Sequence, residues 1–532
     1  MAGGTIQLVM YGPEDVYFLG NPQITFFKAV YRRYTNFCIK TFEQEFPDSF
    51  NFGKTCKIKL NRLGDLITKM SLHITVPKFT PEYDAKFAWV RRLGHAIIKS
   101  VTVEIGGQTI DKQYGEWLDI WYELTRKGDH EKGYNELIGD VPRMTELSSN
   151  KKPQYDLYIP LQFWFNRHCG LALPMIAMQY HDIYVIVEFE KIEKLVVVNE
   201  SFFNYHKLSE LNILSASLLT DYVNLDIAER EKFAIMGHEY LIEQLQYSEQ
   251  NVDKNLMKIK LSFTNPIKEL IWGIKNGNYT SGTKFLCYTH EDDWENEIHR
   301  CSKKILRESM ILLDNSENYY KGYEKVESKY ISNNKKIIVI NNSPCKSLWI
   351  NTNSLKFGGN SLLDKIRANV EITPFNDVII RNLKSDITEI DISIPVEFYE
   401  DNRVESNDIH VNQFCNYGNL ITGKKNPVEY AKLSLNSQDR IQKRSGNFFN
   451  YLQPEMHHSS CPRDGINVYS FSLNPEDHQP SGTSNFSKID KTTFWVWLSN
   501  LFKKFNEKSR LFIYATNYNV FKIMSGLSGL IY

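Results

Sequence analysis

Few residues in this 532-residue chain stand at spacings that could do chemistry. Gly53-Lys54-Thr55 matches the end of a phosphate-cradling P-loop, but Asp48 occupies the place of its first glycine. The residues that follow alternate as a strand, where phosphate binding needs a helix N-terminus. His290-Glu291 opens like a metalloprotease zinc helix, yet Trp294 stands where the second histidine belongs. Thr289 before an acidic turn reads more simply as a helix cap. Ser528 follows Gly526-Leu527, but Leu530 replaces the closing glycine of a nucleophile elbow. His457-His458 supplies two imidazoles with no cysteine or carboxylate at ligand spacing in the sequence, so the pair reads as a polar loop. These residues assemble no catalytic set, no cofactor site and no metal site, and the chain reads as a non-enzyme.

The eight cysteines, at 38, 56, 169, 287, 301, 345, 415 and 461, form no CxxC pair. Free thiols in a reducing compartment are the default for a large chain with so few of them. Four N-x-S/T sequons sit at Asn199, Asn278, Asn341 and Asn485. Asn485 is expected to bond backbone in a turn.

What must position any function is a β-rich framework. The chain is too long for one core and fits two domains, or two plus a large insertion. Lys plus Arg equals Asp plus Glu at 63 each, so no surplus of positive charge exists to neutralise phosphates, and direct nucleic-acid binding is not expected. The basic run 503–508 reads as a solvated loop. No basic residue precedes Lys28, which does not suit a secretory signal, and Ala2 stands where N-myristoylation requires glycine. The apolar run 171–178 is broken by Pro174 and falls short of a membrane span.

Residues 1–30 form an arm punctuated by glycine and proline, whose aromatic residues must dock on something. Short alternating runs follow at 37–46, 55–60, 66–76 and 96–105, and Gly106-Gly107 turns the last of them back. A short helix is expected over 116–126, a polar loop over 127–153, and strands over 155–161, 182–189 and 211–225. Eight such strands in two sheets make a jelly roll, an architecture that hides most edges. A connecting helix at 226–233 marks a boundary, and a second series begins with 239–247, 256–263 and 267–274. The next regular strand is expected only at 432–441. A gap that long must carry structure of its own, and strands are expected inside it at 337–340, 377–382 and 387–398.

The stretch Gly465 to Asp490 reads GINVYSFSLNPEDHQPSGTSNFSKID: an expected strand over 465–473, then a long loop set by Asn474, Pro475, Asp477, Pro480 and Gly482. This wording resembles the second jelly roll of the major capsid proteins of large icosahedral double-stranded DNA viruses. GNPQITFFKAVYRRYTNF at 20–37, CGLALPMIAMQYHDIYVIVEFE at 169–190 and LFIYATNYNVFKIMSGLSGLIY at 511–532 are similar to the same family's entry arm, seventh-strand approach and closing strand. Tyr34 stands where the family often has His, and Lys488 where it often has Arg.

The resemblance implies an all-β protein of two consecutive eight-stranded jelly rolls, a double jelly roll with short helices and a large β-rich insertion in the second roll. The expected divisions are an arm at 1–30, a first roll at 31–225 and a second at 226–532. Within the second roll, 276–430 forms an outward-facing tower between the third and fourth strands. The implied function is a structural capsid subunit that forms homotrimeric, pseudo-hexagonal capsomers tiling an icosahedral shell. Implied partners are neighbouring capsomers, penton and minor capsid proteins and an inner viral membrane; the chain would be made in host cytoplasm. A scaffold coating immature viral membranes, or a glycan-binding jelly roll using Tyr319, Tyr320 and Tyr323, are the alternatives. Phe26, Phe27, Arg32 and Arg33 are candidates for assembly contacts of the arm, and Asn278 and Asn341 for glycosylation in the tower.

Overall fold

The computed structural model describes residues 33–275 apart from 48–49, 82–86, 127, 146–150, 199–207 and 209, then 288–289, 426–499 and 509–532. It also describes part of the first 23 residues and, between 310 and 413, the backbone of short strands. Eight principal strands build a first roll: β1 (Phe37–Glu45), β2 (Thr55–Lys59), β3 (Leu66–Val76), β4 (Ile98–Ile105), β5 (Gln108–Tyr114), β6 (Tyr155–Pro160), β7 (Ile183–Phe189) and β8 (Ser215–Leu225). Between β5 and β6 lie helices α1 (Gly115–Thr125) and α2 (Glu131–Ile138). Helix α3 (Ile227–Ile235) leads to the second roll. That roll comprises β9 (His238–Asn251), β10 (Leu256–Lys260), β11 (Pro266–Lys275), β12 (Val428–Leu435), β13 (Gln438–Ser445), β14 (Asn467–Ser470), β15 (Thr492–Leu498) and β16 (Arg510–Met524).

The first roll folds as two antiparallel sheets, ordered β1-β8-β3-β6 and β2-β7-β4-β5. The second repeats that order strand for strand, as β9-β16-β11-β14 and β10-β15-β12-β13. Each strand therefore has a counterpart eight places further on. Alternation explains the sandwich: in β7 Ile183, Val185, Val187 and Phe189 are buried while the residues between them are half-buried. Inner faces of each roll form a separate apolar core, one around Trp89, Trp164 and Phe189, the other around Trp272, Phe449 and Phe494.

The same turn joins β4 to β5 and β12 to β13. Gly106 and Gly107 have φ of 58° and 83°, and Asn436 and Ser437 have φ of 47° and 67°. Two consecutive positive φ values give the turn whose twist matches paired strands. This corrects the expectation of one strand over 432–441, because Asn436-Ser437 splits it into the hairpin β12–β13. Residues 127–153 are likewise not all loop. Helix α2 and a short helix at Pro142–Thr145 stand there, and the left-handed Gly139 closes α2. Its polar composition hid it; only Ile138 is fully buried, while Tyr134 stacks on Tyr122 at 4.0 Å.

Between β11 and β12 the described backbone consists of short strands, among them the hairpin Glu327–Ile331 with Lys335–Val339 and a sheet built on Asp377–Ile380 and Ile409–Gln413. Of the strand expected over 387–398 the described residues are Asp391–Ile392 and Val396–Glu397, each a two-residue strand, and the rest lie outside the described residues.

Candidate inter-roll seam and assembly surfaces

The seam between the rolls grows from α1. Its first residue must be glycine: a Cβ on Gly115 would lie 2.1 Å from the His95 carbonyl oxygen and 2.2 Å from that of Ile98. The chain therefore leaves β5 against the start of β4 and turns directly into the helix. Residues four apart share a helix face, and α1 uses two such pairs. Trp117 and Trp121 face the second roll, where with Ile120 and Leu124 they form an apolar cluster with Ile271, Val468, Phe512 and Tyr514. Trp117 and Tyr514 have ring centroids 5.4 Å apart.

Asp119 and Glu123 form the other pair, and both are fully buried. Arg92, also buried and in left-handed backbone at φ 52°, donates to Asp119 and to Glu123, the latter at 2.5 Å. Arg463 reaches across from the second roll and donates to Asp119 at 2.5 Å, with its Nε 3.3 Å from Glu123. Burial alone would raise both carboxyls, but Arg463 and Arg92 overcome it and hold them below the usual carboxylate range. Arg91 pairs with Asp140 at 3.1 Å. Burial pushes His95 down, so it sits neutral beside Tyr134 with its Nε2 2.7 Å from the hydroxyl.

Further along, two edge strands meet. The Leu245 N–H of β9 donates to Asp111 of β5 at 3.0 Å, Gln244 donates to the Ile110 carbonyl, and Tyr114 packs on Tyr247 at 4.8 Å. Burial raises the Asp111 carboxyl to about 6. Glu243 takes Lys268 at 2.8 Å and Arg167 of the first roll at 2.9 Å. The Tyr180 N–H donates to the Gly526 carbonyl at 3.1 Å, and the Ser528 N–H to His181 Nδ1 at 3.2 Å. Ser528 thus serves as a contact between rolls.

His457-His458 needs correcting as a polar loop pair. The His458 side chain is fully buried, its Nε2 3.0 Å from Glu269 and its Nδ1 3.1 Å from Glu476. Burial disfavours the charged ring, but the two carboxylates more than offset this and push it up to about 9. A carboxylate at each nitrogen suits an imidazolium, which carries a proton on both, and leaves no lone pair for a metal. Folding supplied the carboxylates from positions 189 before and 18 after in sequence, beyond the reach of any spacing rule.

Of the arm candidates, Arg33 is exposed, whereas Phe26, Phe27 and Arg32 lie outside the described residues. So do Asn199, Asn278, Asn341, Tyr319, Tyr320, Tyr323 and the run 503–508. Asn485 accepts the Ser487 N–H at 3.0 Å, as expected of a turn. The seam residues Arg92, Asp119, Glu123 and Arg463 were not singled out from sequence. The paired spacings on α1 are the one signal that could have found half of them.

Some apolar residues remain uncovered. Ile6, Leu8, Val9 and Met10 of the arm, Phe37 and Ile39 of β1, and Leu452 and Met456 after β13 are all exposed. Two fused jelly rolls with a charged, buried seam and open apolar surfaces define a structural protein built to associate. The N-terminal family model for major capsid proteins matches residues 25–226, and the model for the large eukaryotic DNA virus major capsid protein matches 229–529. Capsid protein 1 of Acanthamoeba polyphaga mimivirus is 39% identical over the whole of both chains. The major capsid protein of Phaeocystis pouchetii virus is 35% identical, again over the whole of both. The PBCV-1 virus capsid structure superposes with a TM-score of 0.59 at 27% identity, covering 96% of this chain and 100% of that one. The chain belongs to the major capsid protein family of large eukaryotic DNA viruses.

Proposed function

We propose that this chain is the repeating unit of an icosahedral virion shell and acts without catalysis: three copies form a pseudo-hexagonal capsomer, and capsomers tile the shell. The repeated strand order carries this reading. Two rolls of one topology in each chain let three chains present six similar corners, which suits hexagonal packing. Contacts within a capsomer should bury roughly 2,000–5,000 Å² and be apolar, while contacts between capsomers should be smaller, wetter and individually weak. The insertion between β11 and β12 would face outward as a tower, with Asn278 and Asn341 as its glycosylation candidates. The arm, with Phe26, Phe27, Arg32 and Arg33, would contact neighbouring capsomers, penton and minor capsid proteins beneath the shell, against an inner membrane. Assembly would follow synthesis in host cytoplasm.

Light scattering with negative-stain imaging of the purified protein tests the capsomer. A mass near three times the 62.2 kDa chain, in pseudo-hexagonal particles, is expected; a stable single chain would sink the reading. Deleting residues 1–20 tests the arm: trimers should still form but no longer assemble into shells.

A further inference from the structure

Within one chain the seam uses a different half of each roll. The first roll contributes the edge strand β5 and the helix α1 that follows it; the second contributes the edge strand β9 and the outer face of its β9-β16-β11-β14 sheet. Because the rolls share one strand order, each also owns the half it does not use there. The second roll's counterparts of β5 and α1 are β13 and the helical segment 448–457. The first roll's counterpart of β9 is β1.

The equivalence extends to a local device. Gly446 begins the segment after β13 as Gly115 begins the one after β5, and a Cβ on Gly446 would lie 2.0 Å from the carbonyl oxygen of Val428, the first residue of β12. Phe449 is buried in the second roll's own core and anchors the segment.

These unused halves are open. Every residue of β13 except Ile441 is exposed, and so are Leu452 and Met456, at 48% and 61%. On the other side Phe37 and Ile39 of the β1 edge are 52% and 56% exposed. An uncovered edge strand carrying apolar residues is a template for pairing. The charges also match: β13 carries Arg440, Lys443 and Arg444 against one acid, Asp439, while β1 carries Glu43 and Glu45 against one base, Lys40.

We infer that β13 and the segment 448–457 of one copy pack against the β1 edge and outer sheet face of the first roll of the next copy, repeating between chains the contact made within each chain. The inference rests on the trimer reading and gives it its surfaces. The contact is head-to-tail, so it leaves one half free at each end until a ring closes, and in the trimer reading three chains close it.

Two variants test it by light scattering: Leu452→Asp with Met456→Asp on one half, and Ile39→Asp on the other. Each should run as a single folded chain that keeps a cooperative unfolding transition, while the wild type runs at three times the chain mass. Arg444→Glu, a change at an exposed side chain, serves as a second probe should either variant lose that transition, and it should lower the assembled fraction. A trimeric wild type with equally trimeric variants would overturn the surface assignment alone. A monomeric wild type would overturn the trimer reading with it.

Discussion

Helix α1 and the segment 448–457 occupy the same place in two copies of one topology, yet one is buried and the other open. Trp117 and Trp121 are 2% and 6% exposed because the second roll lies over them; Leu452 and Met456 have no such cover among the described residues. Likewise β9, the counterpart of β1, is buried or half-buried at all but three of its positions, since its edge lies against β5 of the first roll. The uncovered strand β1 is exposed at all but two positions. Topology alone therefore does not settle whether a surface is core or interface. What lies against it does.

The sharpest way to break that comparison is a matched pair of truncations. Trp121→Ala should cost roughly 3–5 kcal/mol in denaturant unfolding of the dissociated single chain, whereas Met456→Ala should change it by less than about 0.5 kcal/mol. Equal effects would mean that 448–457 is not an open counterpart of α1.

Arg463→Met tests the charged side of the seam. It leaves Asp119 and Glu123 buried with Arg92 as their one remaining guanidinium partner among the described residues and the neutral His95 beside Asp119, and a loss of roughly 3–5 kcal/mol is expected in the same measurement. A double-mutant cycle with Asp119→Asn should show strong coupling, because the two side chains share one hydrogen bond.

A third contrast lies inside the second roll. His458 rises from its ordinary 6.5 to about 9 in the folded chain. Its contribution, about 3 kcal/mol, is fully present below pH 6.5 and is lost as pH climbs from 6.5 through 9. His458→Gln should flatten stability across that window, and an unchanged slope would show that the clamp does not hold a charged ring.

The smallest effect compares the two equivalent turns. Ser437→Gly should stabilise by about 0.5–1 kcal/mol, since Ser437 holds a positive φ that glycine adopts freely. Gly107→Ser should cost a similar amount.

Much of the fold was legible because strands announce themselves locally. The alternation over 66–76 coincides with β3, the Gly106-Gly107 turn returns the chain to β5, and the Asp226 region opens α3. Asn436-Ser437 passed unnoticed because neither residue is glycine and the surrounding pattern stays continuous. Helix α2 was hidden because it is held mainly by Tyr134 and Ile138 rather than by a long apolar stripe. The seam was least legible of all. Asp119, Glu123 and Arg92 lie within 32 residues of one another, but Arg463 is 340 positions beyond Glu123, and no local pattern links charges across such a distance.

Sequence alone determined most of the strands, the Gly106-Gly107 turn, the doubled framework and the family, since these rest on side-chain period, backbone preference and wording along the chain. Tertiary structure decided which chemically ordinary residues became special. It buried His458 between Glu269 and Glu476, set Arg463 over Asp119, and covered α1 while leaving its counterpart bare. The physical reason is burial: desolvation acts on a side chain only once distant segments close over it, and which segments do so is a property of the folded chain.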